Sequence, residues 1–128
     1  MIQVEFTVPK EMWLSSNQRD HWAVKSERTR YLRELAAAKG RGIGPLGTTH
    51  VAAFIGYPRN GRADPSNAHP TTKALIDGLT DAGVWPDDDS THVLGPTHLR
   101  DPSTGQPGTY RVRLVLTELV LAGQDAPF

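Results

Sequence analysis

The chain contains no cysteine, which excludes disulfide bonds, thiolate zinc sites and a cysteine nucleophile. It has no apolar run near the ~18 residues that a membrane-spanning helix needs, so we expect no membrane partner. The segment Met1–Glu5 also lacks the charged and apolar regions of a signal peptide. Together these absences predict a cytoplasmic protein.

Several common catalytic signatures are missing as well. The five histidines show no HExxH spacing, and no two of them lie three or four residues apart, so zinc is not expected. There is no G-x-S-x-G nucleophile elbow, and no G-x-G-x-x-G motif opens a helix after a strand. The acidic run Asp87–Asp89 lacks the alternating ligands of an EF-hand. The remaining candidate chemistry is a divalent cation bound by carboxylates.

The apolar patterning predicts four strands in a chain of 128 residues, a length that suits one domain. The predicted strands cover residues 2–8, 48–57, 91–99 and 109–121, with Gly95 and Pro96 interrupting the third.

Helical periodicity predicts two helices between these strands. The first covers residues 26–39, with Ser26 as its N-cap and Gly40 just beyond its end. The second starts at Pro70 and stops at Gly83. The resulting β-α-β-α-β-β order predicts a single α+β domain over residues 1–128, with a mixed sheet and helices packed on it.

The formal net charge of zero hides an asymmetry between the two halves of the chain. Residues 1–62 contain ten Lys and Arg against five Asp and Glu, whereas residues 63–128 contain four against nine. A basic part that contacts a polyanion and an acidic part that holds cations would explain this asymmetry. Two solvated surfaces would explain it equally well.

Carboxylates stand before, on and after the second helix. Asp64, Asp87 and Asp88 are the predicted metal ligands, because Mg²⁺ prefers carboxylate oxygens and water. Lys73 is the predicted cation that holds a scissile phosphate or polarises the attacking water. An ordinary surface ion pair between Lys73 and Asp77, together with a solvated acidic turn, is the alternative interpretation.

Basic and polar residues outside this region are candidates for contact with DNA. The predicted phosphate contacts are Asn17, Arg19, Arg59 and Arg62. For Trp13 and Trp22 we favour a place over the core, with base stacking as the alternative.

Three segments of the chain resemble the RusA family of Holliday-junction endonucleases. Residues 64–67, 73–83 and 85–88 read DPSN, KALIDGLTDAG and WPDD. The family pattern has an Arg-x-Asp-x-Asp-Asn loop, a helix with Lys and then Asp, an Ala-Gly ending and an Asp-Asp pair. Asn17-x-Arg19-x-His21 is similar to the family's N-terminal Asn-x-Arg region. By position, the matching site residues are Asp64, Asn67, Lys73, Asp77, Asp87 and Asp88.

The chain departs from the family pattern in two places. Ser66 stands where the second loop aspartate belongs, and a neutral hydroxyl is a weak ligand for Mg²⁺. Three extra residues also separate Asn67 from Lys73. Asp89 is the candidate to replace the missing carboxylate.

The resemblance implies a Mg²⁺-dependent homodimer, with Mn²⁺ as a possible substitute, that nicks Holliday junctions or other branched DNA in recombination and repair. It implies the cytoplasm of a bacterial cell or of a phage-infected host. The alternative is a non-catalytic branched-DNA-binding module that keeps the fold without the full set of metal ligands. A third hypothesis is an acidic cation-binding protein with no nucleic-acid role.

Overall fold

The computed structural model describes residues 1–127 and contains one mixed four-stranded sheet in the order β1-β4-β2-β3. The strands are β1 (Ile2–Pro9), β2 (Thr48–Gly56), β3 (Val93–Arg100) and β4 (Thr109–Val120). The central strand β4 runs antiparallel to β1 and β2, whereas β3 lies parallel to β2 at the edge. All four predicted strands are therefore present, with ends that differ by one or two residues.

Two helices, α1 (Trp22–Gly40) and α2 (His69–Asp81), alternate with the strands, so the predicted β-α-β-α-β-β order and α+β class are confirmed. The prediction for the start of α1 was wrong, because the helix begins at Trp22 rather than at Ser26. The ring nitrogen Nδ1 of His21 accepts the Ala23 N–H at 3.2 Å and caps this end. Gly40 belongs to the helix instead of following it.

One face of the sheet carries the apolar core. The alternate residues of the strands bury their side chains there, and both helices contribute to the same cluster. Its strand members are Val4, Phe6, Val8, Val51, Ala53, Ile55, Val93, Val112, Leu114 and Leu116. Burial of a large apolar side chain contributes roughly 1.5–3 kcal/mol, so this face supplies most of the stability of the domain.

The two helices meet at Gly78, in the interior of α2. A Cβ atom at this position would lie 2.2 Å from the backbone oxygen of Arg33 and 2.7 Å from the Cβ of Ala36. The close approach requires glycine, although glycine lowers helix propensity by about 1 kcal/mol relative to alanine. The packing of α1 on α2 therefore depends on this missing side chain.

The two tryptophans lie in opposite environments. Trp13 is only 4 % exposed and stacks on Tyr110, with ring centroids 4.1 Å apart, as the core interpretation predicted. Trp22 is 76 % exposed, so the same interpretation was wrong for it. The cause is its place in the first turn of α1, whose buried residues all lie in the second half of the helix.

None of the helices in residues 1–127 combines the length and the apolar character needed to cross a membrane.

Candidate functional site

Lys73 links two carboxylates on the polar side of α2. Its Nζ donates to Asp77 Oδ1 at 2.8 Å and to Asp88 Oδ2 at 2.7 Å. Asp77 reaches the lysine because residues four apart lie on the same side of a helix. Asp88 comes from the segment that follows α2, so the chain must reverse direction to bring it there. We call these three residues the lysine cluster.

The reversal depends on a turn and an anchor. Gly83 has a φ of +81°, a conformation that glycine adopts without strain, and Val84 N–H donates back to Leu79 O at 3.1 Å. The Trp85 side chain is 1 % exposed, and its Nε1 donates to Thr80 Oγ1 at 2.7 Å. These contacts hold the following residues beside α2, which is why Asp88 meets Lys73.

The two acids of the cluster have opposite pKa shifts. Burial, together with hydrogen bonding to Asp88, raises the pKa of Asp77 above its ordinary value. Hydrogen bonding to Asp77 and to Lys73 lowers the pKa of Asp88 to about 2. The same two acids raise the pKa of Lys73. One ammonium between two carboxylates leaves a net negative charge at neutral pH, which favours a further cation.

A second ion pair extends this acidic surface toward α1. Arg33 donates to both carboxylate oxygens of Asp81, through Nε at 2.5 Å and Nη2 at 2.9 Å. Both side chains are exposed, so the pair contributes at most about 1 kcal/mol. Arg33 is therefore engaged with Asp81 at the junction of the two helices.

Asp64 lies in the loop that leads into α2 and is held by the residue that departs from the RusA pattern. Its Oδ1 accepts the Ser66 N–H at 3.0 Å and the Ser66 hydroxyl at 2.7 Å. These hydrogen bonds lower the pKa of Asp64. Ser66 thus orients the carboxylate of Asp64, and Asp64 is the N-cap of the short 3₁₀ turn Pro65–Ala68.

Four of the predicted site residues line one small pocket of about 160 Å³. They are Asn17, Arg62, Asp64 and Asn67. Backbone hydrogen bonding explains the proximity, since Ser16 N–H donates to Asn67 O at 2.8 Å. The distant polar segment near Asn17 and the Asp64 loop therefore form one surface.

The remaining predicted residues lie outside this small pocket. Arg19 is exposed in the turn before α1, and Arg59 lines a neighbouring depression. Asp87 is exposed, and its Oδ1 accepts the Asp88 N–H at 2.7 Å. Asp89 accepts hydrogen bonds from Thr91 and His92, which engages it in a local turn.

No group of three or more Asp, Glu and His side chains within residues 1–127 is arranged so that it could hold a metal ion. Asp64 is bonded to Ser66, whereas Asp88 is bonded to Lys73. The three-carboxylate site of Asp64, Asp87 and Asp88 therefore stays a prediction.

Sequence reasoning missed three residues near the Asp64 loop, which are Tyr57, His98 and Arg100. Arg100 lies over the ring of Tyr57, with its Cζ 5.1 Å from the ring centroid. The Nε2 atom of His98 lies 2.9 Å from Thr72 Oγ1. Arg100 pairs in register with Ile55, so the parallel ends of β2 and β3 bring it to the start of this loop.

No protein-family model matches this chain, and none of the curated proteins matches it either.

Proposed function

We propose that this chain is a RusA-like, Mg²⁺-dependent, structure-specific DNA endonuclease that nicks Holliday junctions or other branched DNA in recombination and repair. The observation that carries the proposal is the lysine cluster. Carboxylate oxygens of Asp88 and Asp77 lie 2.7 and 2.8 Å from the Lys73 ammonium. The pKa of Asp77 is raised, whereas the pKa of Asp88 is lowered. Coupled titratable groups of this kind are frequent at catalytic sites.

The residues of the cluster fit a hard divalent cation. Mg²⁺ binds through one or two carboxylates and fills its other positions with water and substrate oxygens. Asp77 and Asp88 provide two carboxylates beside Lys73, and Asp64 and Asp87 are the further carboxylates of the resemblance. A bound Mg²⁺ or Mn²⁺ would supply an activated water and neutralise charge on the phosphate.

The chain's own residues provide the other functions of phosphodiester hydrolysis. Lys73 stays protonated at neutral pH, because its two acidic partners raise its pKa, so it can hold a phosphate oxygen. Arg62 and Asn17 share the small pocket with Asp64 and provide donors for the neighbouring DNA backbone. A homodimer would present two such sites, as symmetric nicking of a four-way junction needs.

The second candidate is a non-catalytic module that binds branched DNA. The hydrogen bonds between Ser66 and Asp64 favour it, since a hydroxyl occupies the place of a carboxylate and engages the remaining one. Such a module would keep the arginines and Asn17 while lacking a complete set of metal ligands.

Cleavage of labelled DNA by the purified protein separates the two candidates. Four-way junction, fork and linear duplex are incubated with Mg²⁺, Mn²⁺ or EDTA. The endonuclease proposal predicts metal-dependent nicks in the branched substrates. Asp88→Asn and Asp64→Asn should reduce cleavage by at least about a hundredfold, while junction binding stays within about threefold of that of the unaltered protein.

The control is Glu34→Gln, which removes one exposed carboxylate from the surface of α1. It should cleave at the rate of the unaltered protein. Junction binding without nicks in either metal would establish the non-catalytic module. An Asp88→Asn variant that cuts at the normal rate in Mg²⁺ would refute the proposed role of the lysine cluster.

A further inference from the structure

Three arginines surround a depression of about 550 Å³ beside the Asp64 loop. Arg59 and Arg62 come from the loop after β2, and Arg100 comes from the end of β3. Tyr57 and Tyr110 also line it, and we call this depression the arginine groove. No acidic residue among the described residues 1–127 lines it. Its charge therefore suits an anionic ligand.

The groove continues into a second depression of about 630 Å³ on the far side of Arg59. The two share Pro58, Arg59, Asn60 and Tyr110, and the second extends to Lys10. None of its lining residues in the described part of the chain is acidic. The combined surface thus forms an extended basic channel rather than an isolated hollow.

The arginines of the groove differ from several others in this protein by having no carboxylate partner within residues 1–127. Elsewhere, the structure pairs arginines with acids: Arg28 with Asp20, Arg33 with Asp81, and Arg111 and Arg113 with Asp101. Arg100 instead lies over the Tyr57 ring. Three arginines without a salt-bridge partner in the part of the chain that the structure describes line this one depression, and a bound phosphate would accept charge-assisted hydrogen bonds from them.

Two tyrosine rings form an aromatic wall of the groove. Trp13 stacks on Tyr110 at 4.1 Å with an interplanar angle of 8°, and Tyr57 meets Tyr110 edge-on at 6.0 Å. Trp13 is buried in the core, so it fixes the orientation of Tyr110. Tyr57 and Tyr110 are both half-buried, so each keeps part of its surface open to a ligand. Stacking of one base on an aromatic side chain contributes about 1–3 kcal/mol.

We propose that the arginine groove binds unpaired nucleotides of a DNA strand, with phosphates on Arg59, Arg62 and Arg100 and a base against the tyrosines. A duplex keeps the faces of its bases stacked against one another, so it could use the arginines but not the aromatic wall. A single strand can use both. That the ligand is DNA rests on the proposed function. The new inference is that the protein recognises the unpaired segment at a branch.

The position of the groove supports this assignment. Arg62 and Ala63 line the arginine groove and also the small pocket that contains Asp64 and Asn67. A strand that lies in the groove would therefore continue to the Asp64 carboxylate. This continuity connects recognition of an unpaired segment with the candidate site of cleavage.

Fluorescence anisotropy in EDTA tests the proposal without any cleavage. The probes are a labelled oligothymidine of about 12 nucleotides, within the usual range of single-strand sites, and a duplex of the same length. The protein should bind the single strand at least about tenfold more tightly. Arg100→Gln should weaken that binding by about tenfold and lower the salt slope by about 0.7, because one phosphate contact is lost.

Two further variants separate charge from stacking. Tyr57→Leu should weaken single-strand binding by at least about fivefold and leave the salt slope unchanged, since it removes a ring and no charge. Arg41→Gln removes an exposed arginine that follows α1, away from the groove, and should change affinity by less than about twofold. Thermal melting confirms that each variant is folded.

Equal affinity for the single strand and the duplex would overturn the proposal, as would equal effects of Arg100→Gln and Arg41→Gln. These outcomes are independent of catalysis. If the protein nicks junctions in Mg²⁺ but shows no preference for a single strand, the proposed role of the arginine groove is refuted and the endonuclease proposal stands. If it shows a strong single-strand preference that depends on Arg100 but no cleavage in any metal, the role of the groove is supported and the endonuclease proposal is refuted.

Discussion

The lysine cluster makes a prediction about stability that does not depend on any assigned function. Asp88→Asn keeps the shape of the side chain but removes the carboxylate that Lys73 contacts at 2.7 Å. We expect the variant to fold and to be less stable at pH 7, because the pKa of Asp88 is lower in the folded protein than its ordinary value. A lowered carboxyl pKa means that the charged form stabilises the native state.

The size of the effect follows from the pKa shift and the exposure of the cluster. A shift from 3.8 to about 2 corresponds to an upper limit of roughly 2 kcal/mol. The Lys73 side chain is 52 % exposed, so solvent screens the interaction, and relief of the raised pKa of Asp77 offsets part of the loss. We therefore expect a loss of about 1 kcal/mol, or a fall in Tm of about 3–5 °C.

The dependence on pH has a definite sign. Asp88 contributes its stabilising charge above the pKa of the unfolded chain, and this contribution is lost as the pH falls from about 4 to about 2. The stability difference between the unaltered protein and Asp88→Asn should therefore shrink over this interval. Asp77 acts in the opposite direction, because its raised pKa favours the protonated native state on acidification.

Urea unfolding followed by circular dichroism measures this difference between pH 7 and pH 3. The matched control is Glu34→Gln, which neutralises an exposed helix carboxylate and should change stability by less than about 0.5 kcal/mol. A variant Asp88→Asn as stable as the unaltered protein at pH 7 would contradict the reasoning. So would a difference that stays constant down to pH 3.

Two further predictions concern the packing that supports the site. Gly78→Ala should lower the free energy of unfolding by at least about 2 kcal/mol in urea titrations, because its Cβ would lie 2.2 Å from Arg33 O; a neutral effect would mean that the helices do not meet there. Thr71→Val should lower it by about 1–3 kcal/mol, because the buried hydroxyl accepts Leu14 N–H at 2.9 Å and donates to Leu14 O at 2.8 Å. Thr71→Ser keeps the hydroxyl, so it should lower the free energy of unfolding clearly less than Thr71→Val does. Equal losses in the two variants would contradict this reasoning.

Local patterning was sufficient to predict the strands and the second helix. The strands β1 and β4 alternate buried and more exposed residues, β2 is a short apolar run, and α2 has one apolar face. Local patterning failed at the start of α1, where residues 22–27 are all exposed and carry no apolar stripe. His21 caps this end through its ring, which is a less frequent cap than serine or aspartate. A capped but solvent-exposed first turn has no apolar period from which it could be predicted.

The sequence predicts an interruption at Gly95 and Pro96, but β3 continues through both residues. The pairing of β2 with β3 shifts between His50 and Ala52, and β3 continues to Arg100. Proline is tolerated there because β3 is an edge strand that pairs with β2 alone, so its missing N–H leaves no partner unsatisfied. The position of a strand in its sheet decides whether a proline ends it, and that position is not a local property.

The predicted parts of the site depend on local spacing in the sequence, whereas the missed parts depend on contacts between distant segments. Lys73 and Asp77 follow from helical spacing, whereas the contact of Asp88 depends on the turn at Gly83 and the anchoring of Trp85. Arg100 could not be assigned to the Asp64 loop without knowing that β3 lies parallel to β2, because strand pairing is a long-range choice. The basic surface beside Asp64 therefore comes from sheet topology as much as from the loop in which its first two arginines were recognised.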